Sequence, residues 1–398
     1  MTADSGTGPL AGIRVLEMGQ LIAGPFCGQL LADLGAEVIK VELPGQGDPM
    51  RQWGRGKPVW WPVIARNKKC ITLDVRKARG LDVALQLVSK TDVLLENFRP
   101  GTLERWGMAY EQLKAVNPRL VMVRVSGYGQ DGPYAGRAGY GGIGEAMGGL
   151  RYVCGDPAVP PSRVGISIGD SLAAMFACIG CLAALQHRER SGIGQVVDSS
   201  IYESVLGVME STVPEYTEGG VIRERAGSFL PGIAPSNVYP TADGFMIVMG
   251  ANQDSVFRRL CEAMGRVELA DDPRYRDHGA RGRHQRELDE LISAWTCTLA
   301  ADALLGTLEA FAIPASRIFR TPDMLKDAQY RARESIIKVA HAHFRNLMMQ
   351  NVFPKLSETP GRVRWPGPEQ GAHNRDIYTG LLGVTAAELE SLQADGVV

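Results

Sequence analysis

The stretch Ile13-Arg14-Val15-Leu16-Glu17-Met18, followed by Pro25-Phe26-Cys27-Gly28-Gln29-Leu30-Leu31-Ala32-Asp33-Leu34-Gly35 and Ala36-Glu37-Val38-Ile39-Lys40-Val41, decides the fold. A short apolar run, a helix-period segment closed by glycine and a second apolar run spell strand, helix, strand. Strands joined by such a crossover helix lie parallel. The pattern recurs downstream, with strands at Cys70–Leu73, Asp92–Glu96 and Leu120–Val125 and helices at Ala78–Ser89 and Tyr110–Val116. This alternation predicts an α/β fold whose parallel sheet is covered on both faces, with binding loops at the carboxyl ends of its strands.

Residues Gly127 to Gly149 are so dense in glycine that they read as a long loop rather than a regular element. Asp170 then opens a helical run to about Arg190, stopped by Ser191-Gly192, and Gln195–Ser200 reads as a further buried strand. After about residue 225 the character changes. Asn237–Thr241 and Phe245–Met249 flank Asp243-Gly244, a hairpin signal, and helical patterns follow at Ser255–Met264, Arg286–Thr296 and Ala301–Phe311. The expected organisation is a large domain begun by residues 1–225, a small α+β domain at 226–320, and a segment at 321–398 that returns to the large domain. Prolines at 354, 360, 366 and 368 make part of that return extended.

The 398 residues carry 43 Lys+Arg against 44 Asp+Glu, so no basic excess points to nucleic acid or an anionic membrane. Seven cysteines lack the paired spacing of a disulfide framework or a zinc site and read as reduced thiols of a cytoplasmic protein. The one CxxC, Cys178 with Cys181, falls inside an apolar helical run, where core packing is the expected role. Met1–Gly8 is small and polar, unlike a secretory signal. The longest apolar stretch, Leu172–Leu185, is shorter than a membrane span.

Three groups of residues could carry chemistry. Gly19, Gly24 and Gly28 follow the first strand and Glu42 ends the second, where a dinucleotide-binding acid would stand, but the glycine spacing is not GxGxxG. Asp170 follows a glycine at the start of a long apolar helix. That position suits an N-cap first, and is compatible with a carboxylate nucleophile, since the N–H groups of a helix's first turn favour negative charge. Arg66, Lys68, Lys69, Arg76, Arg99 and Arg105 lie on or beside strand-to-helix loops and could meet phosphates of an anionic ligand. No GxSxG nucleophile elbow is present.

The chain resembles the class III CoA-transferase family, the group of formyl-CoA transferase and the CaiB/BaiF proteins. The resemblance runs through Pro9-Leu10-Ala11-Gly12-Ile13-Arg14-Val15-Leu16-Glu17, Ala23-Gly24-Pro25-Phe26, Leu34-Gly35-Ala36-Glu37-Val38-Ile39-Lys40-Val41-Glu42, Asn67-Lys68-Lys69 and Leu73-Asp74-Val75. It continues through Glu96-Asn97-Phe98-Arg99-Pro100-Gly101, Gly127-Tyr128-Gly129-Gln130-Asp131-Gly132-Pro133 and Lys355-Leu356-Ser357-Glu358-Thr359-Pro360-Gly361.

It implies a Rossmann-like large domain built from both chain ends, a smaller α+β domain, and an interlocked homodimer. Coenzyme A thioesters are then substrates, exchanged with a carboxylic acid, with no tightly bound cofactor and no metal. Asp170 matches the family's nucleophile. Ile22, Ala23, Leu73, Arg76, Asn97, Phe98, Arg105 and Tyr140 match coenzyme A contacts, and Gly250, Ala251, Asn252 and Gln253 match the small-domain loop over the acyl site, a source of oxyanion donors.

Two residues depart from formyl-CoA transferase. Ile22 replaces a Gln, and Gly141 stands where an acid is usual, so an oxalate-sized substrate is not implied. Trp53, Trp60 and Trp61 near the expected entrance suggest a larger or partly apolar acid. The α-methylacyl-CoA racemases of the same superfamily use a His where Tyr140 stands here, so the racemase alternative lacks its second acid/base group. A catalytically silent CoA-binding dimer is the remaining alternative.

Overall fold

A computed structural model describes residues 8–398; the small polar opening stretch read at Met1–Gly8 lies, but for its last residue, outside the described residues. Two compact units are present. Among the described residues the larger comprises 8–150, 164–212 and 331–398, and the smaller 151–163 and 213–330.

The larger unit is built on a six-stranded sheet in the order β3-β2-β1-β4-β5-β6, every pair parallel. Its elements are β1 (Arg14–Glu17), α1 (Ala23–Asp33), β2 (Glu37–Glu42), β3 (Lys68–Thr72), α2 (Ala78–Ser89), β4 (Val93–Glu96), α3 (Tyr110–Val116) and β5 (Val121–Ser126). They continue with α4 (Gly141–Met147), α5 (Ile168–Ser191), β6 (Val196–Ser200) and α6 (Ile201–Leu206). Successive strand residues point to opposite faces and feed two separate cores. Leu16, Ile39, Ile71, Leu94 and Met122 pack with Val83, Leu87 and Leu113 on one face. Val15, Val38, Val93, Val121 and Val123 pack with Cys27, Leu31, Ala173, Ala177 and Cys181 on the other. Burial on both faces explains why these strands read as continuous apolar runs.

Two expectations are corrected here. The glycine-dense stretch is not all loop, because its last third is the helix α4. The apolar run read as Leu172–Leu185 extends into the 24-residue α5, long and apolar enough to cross a membrane by length and composition alone. Half of its most apolar window is buried inside the protein, against α1, β5 and β6, so core packing accounts for that side of the helix.

In the smaller unit, β7 (Ser236–Pro240), β8 (Met246–Gly250) and β9 (Ala315–Arg317) form an antiparallel sheet. The Asp243-Gly244 turn is present, with Gly244 at φ +80°. Helices α7 (Asp254–Ala263), α8 (Gln285–Thr296) and α9 (Ala301–Ala310) bury Phe257, Leu260, Ile292 and Leu304 against Tyr239 and Ile247.

The chain then rejoins the larger unit through the hairpin β10 (Ile336–Val339) and β11 (Leu347–Gln350) and closes with α10 (Ala386–Ala394). The turn and short helix at 371–381 lie against β3, the outer strand. Cys70 exchanges hydrogen bonds with His373, Thr72 with Asn374 and Tyr378, and the Asp74 N–H donates to the Val397 carbonyl at 2.7 Å. Backbone groups that an edge strand would expose are thereby paired.

Candidate active site

The loop between β1 and α1 rests on a buried ionic cluster. Lys40 Nζ lies 2.8 Å from Asp48 Oδ2 and 3.4 Å from Glu17, and also donates to the Gly19 carbonyl. Lys68 Nζ sits 2.8 Å from Glu17 and donates to the Pro25 carbonyl. Asp48 Oδ1 accepts from the Leu21 and Met50 N–H groups, which holds Leu21 in a left-handed conformation at φ +63°. Burial works against the Lys40 charge, but the carboxylates of Asp48 and Glu17 outweigh it and push its pKa upward. Burial likewise opposes ionisation of Asp48, yet Lys40 and the two N–H groups hold its carboxyl below the ordinary range. Lys68 shares only Glu17 and faces Lys40, so burial prevails and its pKa falls.

This cluster disposes of the dinucleotide reading. Glu42 is bound by Arg51 at 2.7 Å and accepts from the Asp48 N–H, so it is not offered to a ribose. The glycines serve packing. A Cβ on Gly19 would come within 2.9 Å of Asn97 Oδ1, and one on Gly28 within 2.9 Å of the Glu17 carboxyl carbon.

Asn97 spans the point where strand order reverses between β1 and β4, the usual ligand crevice of such sheets. Its amide accepts from the Gln20 N–H at 2.7 Å and donates to the Gln20 carbonyl at 2.9 Å, clamping one loop to the next. Ile22 and Ala23 follow that clamp at the start of α1. Phe98 stacks edge-on with Trp106 at 5.1 Å, Arg105 bonds the Thr102 hydroxyl, and Tyr140 precedes α4 with 68% of its surface exposed. Arg76 is exposed and paired with Asp74. All eight residues lie beyond the carboxyl ends of β1, β3, β4 and β5. Ala23 and Leu73 are only 4% and 3% exposed, so their side chains serve the core.

Asp170 is the third residue of α5, with Ser167 at the N-cap, so it stands within the first turn rather than capping the helix as the sequence suggested. Its side is half-buried. Gly141, the first residue of α4, faces it: a Cβ there would lie 2.8 Å from the Asp170 carboxyl carbon and 3.1 Å from Oδ1. The two helix starts touch again through Gly169, whose Cβ would fall 2.8 Å from the Gly141 carbonyl oxygen. In the sequence Gly141 stands out only as a departure from formyl-CoA transferase; its contact with Asp170 depends on tertiary packing and has no local signal.

In the smaller unit, Gly250, Ala251, Asn252 and Gln253 join β8 to α7. The Gly250 N–H donates to the Pro314 carbonyl and the Ala251 N–H to the Pro235 carbonyl, so neither is available as an oxyanion donor. The Asn252 carbonyl accepts from the fully buried Arg281 guanidinium at 2.7 Å and lies 3.1 Å from His278 Nδ1. Because the carbonyl and N–H of a planar trans peptide point oppositely, this anchoring turns the Gln253 N–H away from Arg281.

Other candidates are accounted for differently. Arg66 is buried against Asp33 at the amino end of β3, Lys68 is taken up by Glu17 in the buried cluster, and Lys69 pairs with Glu37. Arg99 is exposed. Trp61 is buried and its indole N–H donates to the Pro368 carbonyl, whereas Trp53 and Trp60 are exposed and meet edge-on at 5.6 Å. Cys178 and Cys181 sit in the core beside Cys27, where the hydrogen bond with Cys178 and burial push the Cys27 thiol well up.

Comparison with known proteins gives the family. The family model described as CoA-transferase family III matches residues 10–374. The chain is 58% identical to the succinyl-CoA–D-citramalate CoA-transferase of Chloroflexus aurantiacus, over 98% of each protein. It is 34% identical to the succinate–glutarate CoA-transferase of Agrobacterium fabrum, over 97% of this chain and 96% of that one. A CAIB/BAIF family protein from Brucella suis superposes with a TM-score of 0.83 at 32% identity, covering 94% of this chain and 99% of its own.

Proposed function

We propose that this chain, which belongs to CoA-transferase family III and is an acyl-CoA:carboxylate CoA-transferase, works through the Asp170 carboxylate as a covalent nucleophile. The observation that carries the reading is the position of Asp170, half-buried in the first turn of α5, where a helix favours negative charge, and beside the carboxyl-edge loops. Asp170 attacks the thioester carbonyl of the donor acyl-CoA and forms a mixed anhydride with release of the CoA thiolate. The thiolate attacks the aspartyl carbonyl, freeing the donor acid and leaving an aspartyl-CoA thioester. The acceptor carboxylate attacks that thioester, giving a second mixed anhydride and CoA thiolate. Attack of the thiolate on the acceptor's acyl carbon then yields the new acyl-CoA and restores Asp170. Each addition passes through an oxyanion that N–H donors aimed at it would stabilise.

The coenzyme A contacts in this reading are Ile22, Ala23, Leu73, Arg76, Asn97, Phe98, Arg105 and Tyr140, with Ala23 and Leu73 contributing backbone and shape. Succinyl-CoA as donor and a branched or hydroxylated dicarboxylate of citramalate's size as acceptor are the proposed pair, supported by the 58% identical relative. The Rossmann-like large domain would interlock with a second copy in a cytoplasmic homodimer. Exposed Ile143, Met147, Phe176 and Ile179 on α4 and α5 support an apolar surface for that partner.

Asp170→Ala is expected to lose at least about 10³-fold in transfer, as removal of a covalent nucleophile does, while still binding acyl-CoA. Hydroxylamine added during turnover should modify the peptide holding Asp170 in the unaltered protein. Substantial transfer by the variant, measured by mass spectrometry of the CoA thioester pool, would overturn the assignment.

A further inference from the structure

We propose that Gly141 is a positioning residue for the Asp170 carboxylate: by carrying no side chain, it sets where the nucleophile stands against the first turn of α4. This rests on the nucleophile reading of Asp170 and goes beyond it.

Gly141 is not required by its backbone. It lies in a helix without the positive φ that excludes other residues, and glycine is a poorer helix former than alanine, so the local chain would be better served by a side chain. What a side chain would meet is Asp170. A Cβ at this position would lie 2.8 Å from the Asp170 carboxyl carbon and 3.1 Å from Oδ1, closer than unbonded carbon atoms tolerate.

Something must then move, and the surroundings decide which group it is. The α4 backbone cannot retreat along α5, because Gly169 already lets the two helix starts meet at the Gly141 carbonyl. Nor can it slide over α6. A Cβ on Gly144 would fall 2.9 Å from Ile201 Cβ, and one on Gly148 would fall 2.6 Å from Val205 Cβ, so α4 is already seated as closely as glycine permits. The carboxylate is the end of a side chain with two rotatable bonds and yields first. A methyl group at 141 therefore swings the nucleophile out of its place without unfolding the helix that carries it. Misplacing a reacting atom by about 1 Å costs on the order of a hundredfold in rate, whereas coenzyme A contacts on the β1, β3 and β4 loops are untouched.

The test compares Gly141→Ala, Asp170→Ala and the double variant as full-length proteins. With succinyl-CoA and D-citramalate, Gly141→Ala should lower kcat about a hundredfold, leave KM for the acyl-CoA within about twofold, and yield correspondingly less hydroxylamine-trapped Asp170 peptide. Thermal unfolding supplies a readout independent of activity. Gly141→Ala should lower Tm in the unaltered protein but leave it unchanged or raised in the Asp170→Ala background, where the obstructing carboxylate is gone. Full activity in Gly141→Ala, or the same drop in Tm in both backgrounds, overturns the role of Gly141 even if Asp170→Ala is inactive. Retained transfer in Asp170→Ala overturns instead the nucleophile assignment beneath it.

Discussion

Around β1 the carboxyl edge of the sheet is held by charges: Glu17 and Asp48 against Lys40 and Lys68, two of each sign, all buried. Around α4, α5 and α6 it is held by missing side chains, with Gly141, Gly144, Gly148 and Gly169 each letting another group come closer than a Cβ would allow. The first construction fixes a loop by direction, since each ammonium must aim at specific oxygens. The second fixes helices by distance, and answers to volume alone. A buried ion pair adds little net stability over an apolar replacement, because desolvation offsets attraction; what it supplies here is the placement of Gly19 to Ile22. The two halves of one site should therefore fail in different ways.

The largest expected effect outside Asp170 itself is on the charged side. Lys40→Met strands the Asp48 carboxylate beside a thioether and leaves Glu17 to Lys68 alone, and urea unfolding should show a loss of about 3–5 kcal/mol at neutral pH. The pH dependence has a definite sign. Asp48 has a lowered folded-state pKa, so its stabilisation is complete above the ordinary aspartate range and is lost as pH falls through that lowered value. The gap between the two proteins should narrow in acid; a gap of constant size would mean that Lys40 acts by packing, and the contrast between the regions would break.

On the glycine side, Gly148→Ala forces a methyl group to within 2.6 Å of Val205 Cβ and 2.7 Å of the Tyr202 carbonyl oxygen. About 1–3 kcal/mol should be lost, as overpacking costs, with no dependence on pH beyond that of the parent. An acid-sensitive loss would mean that charge, not volume alone, holds these helices.

Asn97→Ala should have the smallest effect on stability, about 1 kcal/mol, since Gln20 can turn its backbone groups to water. Its signature is kinetic instead: a raised KM for acyl-CoA at nearly unchanged kcat. A fall in kcat with KM preserved would move Asn97 from holding the coenzyme A loop to the chemistry.

The βαβ alternation was legible because strands covered on both faces are apolar throughout and their crossover helices are not. The hairpin at Asp243-Gly244 was legible too, displaced by a single residue at each strand, since its turn chemistry is local. The helix α4 was not. Its glycines argue against helix in isolation and are justified only by Ile201 and Val205 on another element. Lys68 and Arg66 looked like ligand-facing cations for a related reason: the carboxylates that claim them, Glu17 and Asp33, lie 51 and 33 residues away in sequence. Asp170 could be found as a carboxylate at a helix start, but its place within the turn, and the glycine opposite, belong to the packing of two helices.

The segment that runs back along β3 has a further meaning for how the protein comes into being. The Tyr378 hydroxyl reaches the Thr72 carbonyl across 306 residues of sequence. On the ribosome, β3 is made 306 residues before the Tyr378 that covers it, and its outer rim stays unzipped for all of that interval. Such a rim is a template on which a nascent chain can pair with a stranger, and long-range closures of this kind are slow. The returning stretch therefore acts as a seal applied late to β3. Deleting residues 371–398 should show itself as inclusion bodies and chaperone dependence in the producing cell, well before any question of turnover arises.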